Sequence, residues 1–219
     1  KWEQQFAGST SWTALATTDG AMDLSSDLEG AYAFRAVVTD TAGNVTESNT
    51  VGYVLDRVAA TAAMAFTLTN DTANTSDRIT SDGRFTLTAP VAPSGESYQA
   101  GLTVYEAKVA GGSATSWFGV GTSGALTNDG AYVFRALVTD LAGNTVYTPE
   151  TASFTLDTVA PTVGTLSLGN WQDTGSTGDR VSSDATFSLA VPFGDANGST
   201  VKWEQQFAGS TSWTALATT

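Results

Sequence analysis

The 219-residue chain carries a net charge of −13, and this charge disfavours nucleic acid and anionic membrane surfaces, which require a basic face. It contains neither cysteine nor histidine, so disulfides, thiolate chemistry and imidazole-based catalysis are excluded. Hydrophobic residues make up 41% of the chain, and no apolar run approaches the roughly 20 residues that span a bilayer. The composition, which is poor in helix formers and rich in Thr, Ser, Val and Gly, predicts an all-β fold.

The chain opens on a stretch that returns near its end. The sequence KWEQQFAGSTSWTALATT, Lys1–Thr18, recurs letter for letter as Lys202–Thr219, at an offset of 201 residues. An identical recurrence of this length indicates a tandem array. We therefore expect the two ends of the sequence to fall inside domains rather than at domain edges.

The next element is an alternating strand followed by a turn. GAYAFRAVVTD, residues 30–40, places one set of side chains on the predicted core face: Tyr32, Phe34, Ala36 and Val38. The turn DTAGN leads into a second strand at about 45–55. The same pattern returns in GAYVFRALVTDLAGN, residues 130–144, at an offset of 100 residues.

A further internal match completes the repeat unit. DTANTSDRITSD, residues 71–82, aligns with DTGSTGDRVSSD, residues 173–184, at an offset of 102 residues. The matches predict one complete domain at 57–157, the C-terminal part of a domain at 1–56, and the N-terminal part of a domain of that same second type at 158–219. We expect each partial domain to be completed by neighbouring material, and the two parts together to make one whole domain.

The central range predicts about seven short strands in a Greek-key sandwich. A Tyr near the start of the sixth strand is typical of the tyrosine corner of immunoglobulin-like domains, and Tyr32 and Tyr132 hold that position. The predicted strands lie near 63–69, 84–90, 102–109, 114–120, 124–127, 131–139 and 145–156.

Three sequence features together resemble a known family. They are the VTDxAGN turn, the LDxVAP-type junction and the DTxxxxDR loop, and the resemblance that they carry extends over the whole chain. They resemble the bacterial immunoglobulin-like tandem repeats of giant surface adhesins, which are exported by type I secretion and often carry RTX repeats. The resemblance implies an extended array at the cell surface, with calcium at domain junctions stiffening a stalk that holds an adhesive tip.

The acidic residues of these features are candidate calcium ligands. In a sandwich of this topology the first loop, the fifth-to-sixth-strand loop and the end of the last strand share one pole. Stacked domains bring that pole to the last hairpin of the next domain, and Ca²⁺ takes about six to eight oxygen ligands. One predicted cluster is Asp71, Asp77, Asp82, Asp129 and Asp157. The other is Asp173, Asp179, Asp184, a copy of Asp27 and Asp56, facing Asp140 and Asn144. The alternative is that these side chains only cap turns.

The sequence predicts a non-enzymatic extender, because tandem near-identity serves length better than recognition. The expected location is the bacterial surface or the medium, with adjacent repeats as partners and a role in adhesion or biofilm formation. The target of the tip is not given by the sequence. The alternative from another class is a module that binds glycan or protein directly. Arg35 and Arg135 are predicted to pair with surface acids, and Trp12 and Trp117 to serve structure.

Overall fold

A computed structural model describes residues 1–216, so the last three residues of the recurrent stretch and of the range 158–219 lie outside the described residues. The described residues contain twenty strands and no α-helix, which confirms the predicted all-β fold. None of these residues belongs to a helix long and apolar enough to cross a membrane. We call residues 1–56, 57–157 and 158–219 the first, central and third segments, and these boundaries stay a prediction.

The first segment builds one five-stranded sheet. Strand β1 pairs with β2 and β3, while β4 and β5 both pair with β3. Tyr32 on β3 donates its hydroxyl hydrogen to the carbonyl oxygen of Leu28 at 2.5 Å, which is the predicted tyrosine corner. The strands are β1 (Trp2–Phe6), β2 (Thr13–Ala14), β3 (Gly30–Thr39), β4 (Val45–Glu47) and β5 (Val51–Leu55).

The central segment contains a counterpart of every predicted strand. The last predicted strand is divided into two, and one further short strand, at 79–80, was not predicted. The strands are β6 (Ala65–Leu68), β7 (Ile79–Thr80), β8 (Arg84–Thr88), β9 (Val104–Val109), β10 (Phe118–Val120), β11 (Ser123–Ala125), β12 (Gly130–Thr139), β13 (Thr145–Tyr147) and β14 (Phe154–Leu156). Strand β9 lies between β10 and β12, β13 also pairs with β12, and β8 lies between β11 and β6.

The described part of the third segment, residues 158–216, forms three separate two-stranded sheets. Strand β15 pairs with β18, β16 with β17, and β19 with β20, all antiparallel. The strands are β15 (Thr162–Val163), β16 (Ser167–Gly169), β17 (Ser188–Ala190), β18 (Phe193–Gly194), β19 (Glu204–Gln205) and β20 (Thr214–Ala215).

The described residues divide into two compact units that do not follow the segments. The first unit comprises Lys1–Thr67, Phe85–Gly124 and Tyr132–Ser153. The second comprises Leu68–Arg84, Ala125–Ala131 and the residues from Phe154 onward.

The predicted core face is confirmed on β12 and only partly on β3. On β12 all four inward side chains are buried: Tyr132, Phe134, Ala136 and Val138. Their counterparts on β3 include a buried Tyr32, but Val38 is exposed. The prediction for Val38 was therefore wrong, because at this end of β3 the opposite face is the covered one, and its residue Val37 is buried instead.

The last predicted strand of each repeat is interrupted by a hydroxyl side chain. The amide of Ala136 donates to Thr148 Oγ1 at 2.9 Å, in place of a backbone carbonyl oxygen, and the amide of Ala36 donates to Ser48 Oγ at 2.9 Å. Both hydroxyl residues still donate their own amides to the carbonyl oxygen of the same alanine. The continuous strands expected over 45–55 and 145–156 therefore divide at this point.

Candidate functional site

On the outward face of β3, Arg35 lies between an acidic side chain and an aromatic ring, an arrangement that we call the arginine clamp. Glu3 on β1 lies opposite Arg35, and the Arg35 guanidinium bonds Glu3 Oε2 at 2.8 and 2.9 Å. Its Cζ lies 4.2 Å from the centre of the Trp12 ring. Hydrogen bonds from Lys1 and then from Arg35 lower the pKa of Glu3. The predicted pairing of Arg35 with an acidic residue is confirmed, and Trp12 has a structural partner.

Strand β12 repeats the clamp. Arg135 lies opposite Glu106 and donates to its Oε2 at 2.7 Å. Its Cζ lies 4.0 Å from the centre of the Trp117 ring and 3.7 Å from that of Tyr147. Because the guanidinium covers the face of Trp117, that face is occupied by a cation–π contact rather than presented to a ligand. The predicted pairing of Arg135 is confirmed as well.

The turn after each long strand is closed by its own Asp and Asn. Asp140 is almost fully buried, and its two carboxylate oxygens accept from the Asn144 amide at 2.8 Å and from Asn144 Nδ2 at 2.9 Å. Burial by itself would raise the pKa of Asp140, but the bonds from Asn144 and from the turn amides lower it overall. Asp40 and Asn44 make the same bonds, and their side-chain contact lowers the pKa of Asp40. The pattern DxAGN is thus a self-closing turn.

At the junction between the first and central segments, this turn holds the end of β5. Asn144 Nδ2 lies 3.2 Å from the carbonyl oxygen of Asp56 and 3.3 Å from its Oδ1. The same nitrogen bonds Asp140 Oδ2. The structure therefore brings together Asp56, Asp140 and Asn144, which the sequence predicted to face each other. Asn144 links two carboxylates that would otherwise repel.

Arg57 adds a second set of bonds at this junction. Its guanidinium donates to the carbonyl oxygens of Asp27, at 2.9 Å, and Leu24, and its amide donates to Glu29 Oε1 at 3.0 Å. Asp27 therefore accepts from Arg57 through its carbonyl oxygen, whereas the predicted acidic cluster involved the carboxylate of a copy of Asp27. The guanidinium of Arg57 therefore already supplies a positive charge to oxygen atoms at this junction.

Thr158 takes the place of Arg57 at the junction between the central and third segments. Its amide and hydroxyl donate to Asp129 Oδ1 at 2.9 and 2.8 Å. Asp157 Oδ2 accepts from Asn197 Nδ2 at 2.8 Å. That bond, followed by one from the Val159 amide and one shared with the Asp195 carboxyl, lowers the pKa of Asp157. This junction keeps the aspartate that follows the last strand, Asp157, but it has Asp129 in the place of Glu29 and no arginine at the position of Arg57.

The loops at 71–82 and 173–184 fold alike and use most of their acids locally. Arg78 and Arg180 both have a φ of 60°, in the left-handed region that non-glycine residues seldom adopt. Asp77 accepts from the amide of Ile79, and Asp179 from that of Val181, both at 2.9 Å. The remaining local contacts are Asp82 with Arg84 at 2.6 Å, which lowers the pKa of Asp82, and Asp184 with Thr186, which lowers the pKa of Asp184.

The first acid of each loop has an oxygen left over. Asp71 Oδ2 accepts from the Arg78 amide at 3.4 Å, and Asp173 Oδ2 accepts from the Gly178 amide at 2.6 Å. The other oxygen, Oδ1, is buried without a hydrogen-bond partner in both residues. A buried polar atom without a partner is unfavourable, so the same aligned atom is left unsatisfied in two independent copies of the loop.

A bacterial Ig-like domain family matches residues 9–57 and 91–158, more than half of the chain. The chain belongs to this family. Both matched ranges of the Ig-like chain end at the junction residues, Arg57 and Thr158. No curated protein matches its sequence.

One similar solved structure is described as a tetra-tandem repeat in the extending region of a large adhesion protein. The sequence identity is 20% and the TM-score is 0.26. The match covers 76% of this chain and 43% of the other. The Ig-like chain thus spans less than half the length of that protein.

The predicted metal ligands of the Ig-like chain are not gathered into a preformed cage. Within residues 1–216 no group of three or more acidic side chains is placed to hold a metal ion. The unpartnered oxygens of Asp71 and Asp173 do fit a cation, because carboxylate oxygens are what Ca²⁺ prefers. At the first junction, Asp56 and Asp140 would offer oxygen atoms if Asn144 turned its amide to present Oδ1. That these residues bind metal stays a prediction.

Sequence reasoning missed the four junction residues that make the direct contacts: Arg57, Glu29, Thr158 and Asn197. The alignment of the two repeats contained the signal, since Arg57 and Thr158 stand at equivalent positions with different charge. No sequence pattern marked Asn197 as a junction residue. Its contact with Asp157 depends on the fold of the third segment.

Proposed function

We propose that the chain is a structural repeat of a large bacterial surface adhesin, where alternating Ig-like domains extend an array that projects an adhesive tip for adhesion or biofilm formation. One observation carries the proposal: the end of one Ig-like segment is held by the hairpin turn of the next, through Asn144 and Asp56. The recurrence of 18 residues at an offset of 201 supports the proposal, because in a tandem array each further repeat adds another junction of this kind. The solved extender repeat has too low a structural likeness to contribute to the argument.

Calcium is the proposed stiffening agent. The residues that would hold it are Asp71 and Asp173, through their unpartnered oxygens, and Asp56, Asp140 and Asn144 at the first junction. When bound, Ca²⁺ would supply positive charge to several oxygen atoms at once. Hydrogen bonds of Arg57 or Thr158 already restrict each junction. Bound calcium would add further contacts to the same junctions.

The alternative function, direct recognition of glycan or protein, has less support. Two of the aromatic rings that could stack on a sugar are engaged by arginine: Trp12 by Arg35, and Trp117 by Arg135. We propose no enzymatic activity, since the family is one of structural Ig-like domains and the sequence has neither histidine nor cysteine.

Calorimetry with and without calcium tests the stiffening agent. A ligand at 100 times its dissociation constant stabilises the folded state by about 2.7 kcal/mol, so the melting temperature should rise on adding calcium. Asp71→Asn should reduce that rise, because it removes a charged ligand oxygen. Asp23→Asn is the matched control, since Asp23 is an exposed acid that accepts hydrogen bonds from Ser25. Identical melting in calcium and in chelator would contradict the calcium proposal and leave the extender role to be tested by length.

A further inference from the structure

Strand β14, the last strand of the central segment, pairs in parallel with the short strand β7. The amide of Thr155 donates to the carbonyl oxygen of Arg78 at 2.8 Å, and the amide of Asp157 donates to that of Thr80 at 2.9 Å. We call this pairing of β7 with β14 the terminal contact. It joins a strand from the first part of the central segment to the strand on which the segment ends, and both strands belong to the same compact unit.

The parallel pairing determines how tension along the chain acts on the terminal contact. The chain enters β7 at the amino end of that strand and leaves β14 at its carboxyl end. In a parallel pair these two ends lie at opposite ends of the contact, so pulling the segment from both sides slides one strand along the other. The evenly spaced hydrogen bonds of a parallel pair are then strained together. In a pair pulled apart from one end, by contrast, the bonds break one after another.

The Thr80 hydroxyl closes the loop that precedes β7. Thr80 is almost fully buried, and its Oγ1 donates to the carbonyl oxygen of Asn70 at 2.6 Å. The same oxygen accepts from the amide of Asp82 at 3.0 Å. Because Asn70 lies at the start of the loop and Thr80 at its end, tension that reaches Asn70 passes to β7 through this side chain. The residues between them need not unfold first.

On the other side of the terminal contact, β14 is anchored by its apolar side chains. Phe154 and Leu156 are both almost fully buried. A shift of one residue along a strand turns every side chain to the opposite face, so sliding β14 along β7 removes both side chains from their buried positions. Resistance to sliding therefore comes from apolar burial as well as from the hydrogen bonds of the contact.

The loop at 173–184 is closed in the same way as the loop before β7. Ser182 aligns with Thr80, and its Oγ donates to the carbonyl oxygen of Gln172. The same Oγ accepts from the amide of Asp184 at 2.9 Å. The hydroxyl group thus makes equivalent bonds in both loops, although the residue changes from Thr to Ser.

We propose that the terminal contact has a mechanical function: it bears the tension that passes along the chain and keeps the central segment folded under force. The proposal rests on the extender role only for the source of the tension, since a stalk is pulled when its tip is held. Forced unfolding is governed by the unfolding rate rather than by equilibrium stability. The resistance of the segment to force should therefore depend on the direction of pulling, which leaves its melting temperature unchanged.

Pulling in two directions tests the proposal, and because the chain has no cysteine of its own, engineered cysteines can attach the handles. The full-length variant V58C/V159C is pulled from both sides of the central segment, which slides β14 along β7. The full-length variant S81C/V159C is pulled from points that follow the carboxyl ends of β7 and β14, which opens the same contact from one end. Val58, Ser81 and Val159 are all exposed, so the handles disturb little packing.

The expected result in optical tweezers, at one pulling speed, is an unfolding force several times higher for V58C/V159C than for S81C/V159C. The two variants should have the same melting temperature, so the difference would come from the direction of pulling alone. Equal forces in the two variants, or a higher force for S81C/V159C, would overturn the proposal.

Two threonine variants in the V58C/V159C background provide the second readout. Thr80→Val removes the hydroxyl that closes the loop before β7, whereas Thr148→Val removes an equally buried hydroxyl that accepts from the amide of Ala136. For the same loss of melting temperature, Thr80→Val should lower the unfolding force more than Thr148→Val does. Forces that fall in the same proportion to the melting temperature in both variants would overturn the proposal. Neither result bears on the extender role, which is tested separately by the growth of length with copy number.

Discussion

Replacing Phe134 with alanine should cause a large local loss of stability. Its side chain is fully buried on β12, and its ring centre lies 4.7 Å from that of Phe85 and 5.4 Å from that of Phe66. Truncating a buried Phe costs about 3 to 5 kcal/mol, from the lost transfer energy and the cavity that remains. Because a domain is stabilised by only about 5 to 15 kcal/mol, the substitution removes a large share of the total.

Phe34→Ala is the matched control for this substitution. Phe34 holds the equivalent place on β3, but it is only half-buried, with a stacked contact to Tyr32 at 6.1 Å between ring centres. Hydrogen exchange of the amides of β12 and β3, read by mass spectrometry, gives the opening free energy of each strand. We expect a loss of at least about 3 kcal/mol on β12 for Phe134→Ala, and a clearly smaller loss on β3 for Phe34→Ala. Equal losses, or a loss below about 1 kcal/mol for Phe134→Ala, would refute the packing argument.

Two further predictions follow from local geometry. Gly83→Ala should lower the melting temperature, because a Cβ there would lie 2.0 Å from the carbonyl oxygen of Leu126, whereas Gly119→Ala meets no atom within 4 Å and should change little. Acid should destabilise the chain: the pKa of Asp140 is lowered on folding from an ordinary value of 3.8, so its contribution is present above that pH and is lost as the pH falls through the folded value. Asp140→Asn should flatten the dependence of the melting temperature on pH below about 4, and an unchanged acid limb would contradict the assignment.

The strand pattern was predictable where a second sheet covers the strand. The alternation on residues 30–40 and 130–140 located both long strands, and on β12 it identified the core face. It could not distinguish Val138, which is buried, from Val38, which is exposed. Alternation reports which side chains share a face, whereas burial depends on what packs over that face. That partner comes from distant sequence.

The candidate site was predictable in its topology and not in its contacts. The expectation that one end of a domain contacts the last hairpin of the next domain predicted that Asp56 would lie near Asp140 and Asn144. The structure brings these three residues together. The acidic loops, in contrast, use most carboxylates to accept from nearby amides, as Asp77 and Asp179 do. The spacing of acids is the same for a turn cap and for a metal ligand. Only the unpartnered oxygens, which no sequence reveals, favour a ligand.

The most direct test of the extender role is the growth of length with copy number. Proteins containing one, two and four copies of the 201-residue repeat would be measured by small-angle scattering in calcium. If the junctions hold successive domains, the maximum dimension should rise in proportion to the number of copies. Growth with about the square root of that number, as expected for freely jointed segments, would contradict the proposal that these repeats serve as a stiff spacer.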